Sequence, residues 1–124
     1  MPSFNFKRRY ADMIVNGTKR QTIRAPRKDH RNPQVGDDLA LYVDQRSKRC
    51  RKLLDVRCSD RKNVTIDHDF CALGEQLLNP GQRDIFAIAD GFDSFDELVG
   101  FFDADRELPF HGLVYYWQHP RDLQ

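Results

Sequence analysis

The stretch Asn16–Arg24, NGTKRQTIR, sets Lys19, Arg20 and Arg24 around Thr18 and Thr22, and further cations follow at Arg27, Lys28 and Arg31. Cations at this density suit a phosphate or another anion. A hydroxyl close to a lysine is also the beginning of a base-assisted nucleophile. A solvated turn would need neither. The K-x-x-T spacing is unspecific, so the stretch by itself leaves all three readings open. A second basic run, Arg46, Lys48, Arg49, Arg51 and Lys52, suits a nucleic-acid backbone with Tyr42 or Tyr10 as stacking platforms, or else a solvated loop.

Other chemistries find less support. Cys50, Cys58 and Cys71 form no CxxC pair, and His30, His68, His111 and His119 are scattered. Structural zinc draws about four ligands from clustered positions, so no metal is expected and the cysteines read as buried or half-buried thiols. No phosphate-binding glycine loop or dinucleotide fingerprint is present, so no cofactor is expected.

The net charge of +1 conceals a division. Residues 1–62 carry 17 Lys and Arg against 7 Asp and Glu, 17 − 7 = +10, and residues 63–124 carry 3 against 12, 3 − 12 = −9. A basic half of this strength points to a polyanion such as RNA, DNA or a nucleotide phosphate, or to two halves that neutralise each other across the fold. The 124 residues suit one domain with one core. The opening MPSFNFKRRY lacks the apolar region of a signal peptide, and no run is long enough to span a membrane, so a cytoplasmic protein is the default expectation.

The elements that must position these residues follow from periodicity. Residues 3–6 alternate as a strand, and Tyr10, Met13 and Ile14 recur at helical spacing over 8–16, with Gly17 as the stop. Gln21–Arg24 returns to a strand, with Thr22 and Arg24 on one face and Ile23 on the other. Ala25-Pro26 ends it, and residues 27–34 form a basic loop. Val35-Gly36-Asp37 turns into a strand at Leu39–Val43, and Leu53–Cys58 and Val64–Asp67 read as two further strands. Residues 68–82 read as a short hairpin or an irregular excursion, with a turn at Asn79-Pro80-Gly81. A helical turn or more is expected over Asp84–Asp90. Ser94 with Glu97 forms a capping box before Leu98, Phe101 and Phe102. Gly112–Trp117 is a closing strand, with His111 as a turn residue before it and Tyr115 and Tyr116 on opposite faces. The phenylalanines from Phe86 to Phe110 read as core. Short strands with a few edge helices indicate an α+β domain, a small curled sheet or barrel.

The ordered set Gly17-x-Lys19-x-x-Thr22-Ile23-Arg24, Val35-Gly36-Asp37-x-Leu39, Asp90-Gly91-Phe92-x-Ser94-Phe95-x-x-Leu98 and a late strand ending in Trp117 resembles the ASCH domain family. The resemblance covers nearly the whole chain as a single domain, 1–124. It implies a PUA-like fold, a small mixed β-barrel flanked by short helices with a cleft beside it. It implies a role in RNA or nucleoside metabolism, with nucleoside, nucleotide or RNA as partner. Small bacterial members are N4-acetylcytidine amidohydrolases, and others have been described as ribonucleases.

In the amidohydrolases a lysine and a threonine from one loop-and-strand segment act with a glutamate before the second helix. Lys19 and Thr22 match the first two, and Arg24 matches a nearby arginine. Asp90 stands at the acid's place but is one methylene shorter. The resemblance thus implies Thr22 as nucleophile, Lys19 as its base and Asp90 as orienting acid or proton shuttle. Arg24 would hold the oxyanion, ribose or phosphate, with Arg20, Arg27 and Tyr42 as further ligand-binding candidates. Amide hydrolysis needs such a set, since a threonine hydroxyl is a weak nucleophile alone and a lysine serves as base only with a lowered pKa. Two alternatives stand beside it: an RNA- or nucleotide-binding module without chemistry, and a ribonuclease.

Overall fold

The computed structural model describes residues 1–123 as an α+β domain built on a seven-stranded mixed sheet. Strand β1 is Ser3–Phe6. A 3₁₀ turn over Arg8–Tyr10 leads into helix α1, Ala11–Asn16, so the expected single helix over 8–16 is a tighter turn followed by a short α-helix. Gly17 ends it with φ +87°, the left-handed conformation glycine tolerates. Strands β2 (Gln21–Arg24) and β3 (Asp38–Val43) follow.

Strand β4 runs unbroken over Arg51–Asp67, where the sequence suggested two strands. The polar residues Asp60, Arg61, Lys62 and Asn63 interrupt the hydrophobic alternation. They do not interrupt the ladder, because its bonds are backbone bonds and indifferent to the side chain. β4 instead changes neighbour along its length. Its first part pairs with β3 up to Arg57, and from Cys58 onward it pairs with the last strand. The ladder shifts register between Cys58 and Asp60.

Residues 68–82 resolve into β5 (Phe70–Leu73), β6 (Gln76–Leu77) and the start of helix α2, Pro80–Asp90. Asn79-Pro80-Gly81 is therefore a helix start and not a free turn. The Asn79 side chain accepts from the Gln82 N–H, Gln82 Oε1 accepts from the Asn79 N–H, and Pro80 occupies a position where a helix needs no N–H. Helix α3, Phe95–Asp105, starts at Ser94, whose Oγ accepts from Glu97 N. The Glu97 carboxylate reaches back to Asp93 N rather than to Ser94 N. β7 spans Phe110–Trp117. His111 belongs to that strand, not to a turn, and pairs with Thr65.

Two cores lie on opposite faces of the β2–β7 ladder. Ile23 and Val114 face α2 and α3, with Phe86, Phe92, Phe95, Phe102 and Phe110. Leu113, Tyr115 and Trp117 face β1 and α1, with Phe4, Phe6, Tyr10 and Ile14. The expected single core is thus divided by the sheet. Cys58 and Cys71 are buried, whereas Cys50 is exposed. Among the described residues β1 and β2 share no ladder, so the strand pairing is open between them. No helix among those residues is long and apolar enough to cross a membrane.

Candidate functional site

The cleft opens where β1 and β2 fail to pair. Its wall carries Lys19, Thr22, Arg24 and Asp90 together with Tyr10, Phe6 and Arg106. Chain segments far apart in sequence supply these groups. Gly17 turns the chain sharply, so Lys19 enters beside the end of α1, and its backbone N–H donates to Met13 O. Thr22 and Arg24 then share the face of β2 that looks toward β1, as their alternation predicts. Asp90 is the last residue of α2, and Gly91 ends that helix with φ +105°. A Cβ at Gly91 would meet the Tyr10 ring at 2.8 Å, so the glycine lets α2 come this close to the cleft.

Lys19 is 2% exposed, Thr22 4% and Asp90 6%. Lys19 Nζ donates to the Asp90 backbone oxygen and lies 3.4 Å from Asp90 Oδ1. It also sits 5.0 Å from the Tyr10 ring centroid and 5.8 Å from that of Phe6. A carboxylate at a helix C-terminus opposes the macrodipole, while a lysine there is favoured. Asp90 therefore occupies an unfavourable place by local rules, and Lys19 compensates it. Gln21 Nε2, from the opposite face of β2, donates to the same Oδ1 at 3.3 Å.

Burial pushes the Lys19 pKa down, with Arg24 and Arg9 adding to the effect and Asp90 opposing it. Burial pushes the Asp90 pKa up, opposed by Lys19 and Gln21. Desolvation thus drives both partners toward their neutral forms, and their mutual attraction opposes it. Burial lowers Arg24 to about 10, still well above neutral pH. Arg24 Nε donates to Thr22 Oγ1 at 3.0 Å, and its NH2 group donates to Asn5 O at 2.9 Å. The guanidinium lies over Phe4 and Phe6, 4.8 and 4.7 Å from their centroids.

The structure thus brings Lys19, Thr22, Arg24 and Asp90 together. It does not bring Arg20 or Tyr42 to them. Arg20 turns outward, donating to Gly17 O and pairing with Asp122. Tyr42, on β3, lies under Lys52 Nζ at 5.7 Å and outside the cleft wall. Arg27 lies along the edge of β1, where its NH2 group donates to Ser3 O at 3.2 Å. Tyr116 is half-buried and Tyr115 buried, so neither of the pair is fully exposed. Gln21 and Arg106 are the residues that sequence reasoning missed. Arg106 carried a signal, being one of three cations in the acidic half. Gln21 carried none, because its role depends on where α2 ends.

The cleft holds hydroxyl, amine, carboxyl and guanidinium groups beside the rings of Phe6, Tyr10, Phe92 and Phe101, with Asn5, Lys7 and Asp105 also on its wall. Those groups can move a proton, attack a carbonyl or hold an anion. Among the described residues no group of three or more His, Cys, Asp or Glu side chains is placed to bind a metal ion. In comparisons with family models, curated proteins and solved structures, nothing matches this chain.

Proposed function

We propose that this chain is an ASCH-type domain of nucleoside or RNA metabolism that hydrolyses the amide of N4-acetylcytidine or a related acylated nucleoside. The observation that carries the reading is Lys19: a buried amine of lowered pKa in the same cleft as a threonine hydroxyl and a buried acid. The PUA-like barrel belongs to the same proposal. It is supported by a curled sheet in which the side chains of Arg24 and Arg27 span the unpaired border between β1 and β2.

In this mechanism the Lys19 ammonium first passes a proton to the Asp90 carboxylate beside it, and the neutral amine so formed takes the proton of the Thr22 hydroxyl. Arg24 already donates to that oxygen and so favours its negative form. Hydrogen bonds that carry a proton commonly tighten only in the substrate complex, which is where Lys19 turns from Asp90 toward Thr22. Thr22 Oγ1 attacks the acyl carbon, and the carbonyl oxygen becomes an oxyanion held by Arg24. The C–N bond breaks, and the leaving cytosine nitrogen takes the proton from Lys19, with Asp90 orienting the ammonium. Water then attacks the acyl-threonine, releasing the acid and restoring the hydroxyl. The net reaction is amide plus water to amine plus carboxylic acid.

A second reading, a nucleotide- or RNA-binding module without chemistry, is favoured by the arginines at the cleft mouth. The deciding experiment is conversion of N4-acetylcytidine to cytidine by the purified protein, followed by chromatography. Thr22→Val and Lys19→Met keep side-chain volume, and each is expected to lower turnover by about 100-fold or more. No turnover in the wild type rejects the amidohydrolase, and unchanged turnover in folded variants rejects these roles.

A further inference from the structure

The cleft holding Lys19 and Thr22 is small, about 160 Å³. That is below the ~300–1,000 Å³ of ordinary small-molecule pockets. It admits the reacting end of a ligand and little else. It does not close there. Asn5, Arg24 and Arg106 line both this cleft and a broad groove of about 1030 Å³ that runs past Arg27 and Arg46. A ligand that reacts in the cleft has this groove beside it to take its remainder.

The groove is cationic, with Asp90 acting on Arg24 through space from the cleft side. Among the described residues, Arg24, Arg27, Arg46 and Arg106 take part in none of the ion pairs, which lie elsewhere. The groove's acid, Asp44, is engaged by Arg8, whose Nε is 2.6 Å from Oδ2. Arg24 and Arg27 are half-buried, yet neutral oxygens orient them: the carbonyls of Asn5 and Ser3, on the unpaired edge of β1. Each guanidinium has five N–H donors, so these bonds aim the group and leave the remaining donors free. Partly desolvated cations held in place by neutral groups are matched to an anion that arrives with the ligand. Planar donor forks fit a phosphate in particular.

We propose that this groove is a phosphate subsite, so that the ligand of the cleft is a nucleoside carrying a phosphate group rather than a free nucleoside. The inference rests on reading the cleft as a nucleoside site, but not on hydrolysis there. Arg24 joins the two sites, touching Thr22 on one side and opening to the groove on the other. The phosphate has two sources, the 5′-phosphate of a mononucleotide or the backbone of a single-stranded oligonucleotide.

The test is calorimetric titration with cytidine, cytidine 5′-monophosphate and the trinucleotide CpCpC, at low and high salt. The wild type binds the monophosphate about tenfold or more tightly than cytidine, as expected of charge-assisted bonds, and added salt erodes the difference. Arg46 is exposed and has no bond to break, so Arg46→Gln leaves the fold intact. Arg46→Gln lowers the phosphate preference and leaves cytidine affinity unchanged, and Arg27→Gln/Arg46→Gln reduces the preference, read as the ratio of the two affinities, to near one. CpCpC tighter than the monophosphate assigns the subsite to an oligonucleotide, and weaker assigns it to a mononucleotide. Phosphate ligands that bind no better than cytidine, a preference that survives in the double variant, or no binding by any of the three overturn the proposal. Hydrolysis of N4-acetylcytidine without a phosphate preference removes the subsite alone. A phosphate preference without hydrolysis removes the chemistry alone.

Discussion

The two borders of β2 are built differently. On one side, Gln21–Arg24 pair with Leu113–Tyr116 of β7 through a backbone ladder. On the other side, β2 faces β1 across side chains, with Arg24 and Arg27 reaching the carbonyls of Asn5 and Ser3. A ladder holds strands ~4.8 Å apart and leaves no room between them. A guanidinium bridge is longer, carries charge and keeps the strands apart. The cleft lies on the bridged border, and every polar group proposed to act there faces it or reaches around the end of β2 to it. An unmade ladder is thus how this fold makes room for chemistry.

The largest expected effect tests the bridged side. Lys19→Met leaves Asp90 buried without its cation and should lower stability by ~3–5 kcal/mol, while Lys19→Met/Asp90→Leu should recover most or all of it. Urea melts of the three proteins check this; a double variant as unstable as the single would mean the pair does more than neutralise itself. The pH dependence has a definite sign. The folded pKa of Asp90 lies above its unfolded value, so its contribution is complete below the unfolded carboxyl pKa and is lost as pH rises through the folded one. Lys19 has a lowered folded pKa, so its contribution is complete above the unfolded lysine value and is lost as pH falls through the folded one. The deficit of Lys19→Met should therefore shrink on acidification through the raised Asp90 pKa, because the protonated acid no longer needs a cation.

A smaller effect tests the laddered side. A Cβ at Gly112 would meet the Phe110 ring at 2.5 Å and the Arg24 carbonyl oxygen at 2.6 Å. Gly112→Ala should cost ~1–3 kcal/mol as an overpacked contact. By pushing the end of β2 it should also weaken ligand binding, although residue 112 is outside the cleft wall. Thermal melts beside binding titrations separate the two effects, and a variant that binds normally would show that the ladder does not set the position of Arg24. The smallest effect is a control at the rim of the β3–β4 ladder. Arg57 and Asp38 pair at 3.5 Å with side chains 73% and 62% exposed. Asp38→Ala should change stability by no more than ~1 kcal/mol, and less at high salt.

Much of this was legible in order along the chain. SFNF and QTIR occupy the strands their alternation indicates, and Ser94 caps α3. The misreadings share a cause. The polar run Asp60–Asn63 hides the continuity of β4, and Asn79-Pro80-Gly81 has the composition of a turn. In both places the backbone's partner decides the outcome, and local composition does not name the partner.

The sequence by itself determined which residues share a short segment: Lys19, Thr22 and Arg24, with Gly17 to turn them and alternation to put Thr22 and Arg24 on one face. Those relations rest on dihedral preferences and the two-residue period of a strand, which act over a few residues. Only the tertiary structure brought Asp90 across 71 residues to Lys19, turned the neighbouring Arg20 away to Asp122, and, among the described residues, left the arginines of the groove out of the ion pairs. Charges act through space, and which of them meet is settled by the packing of α2 and α3 against the sheet.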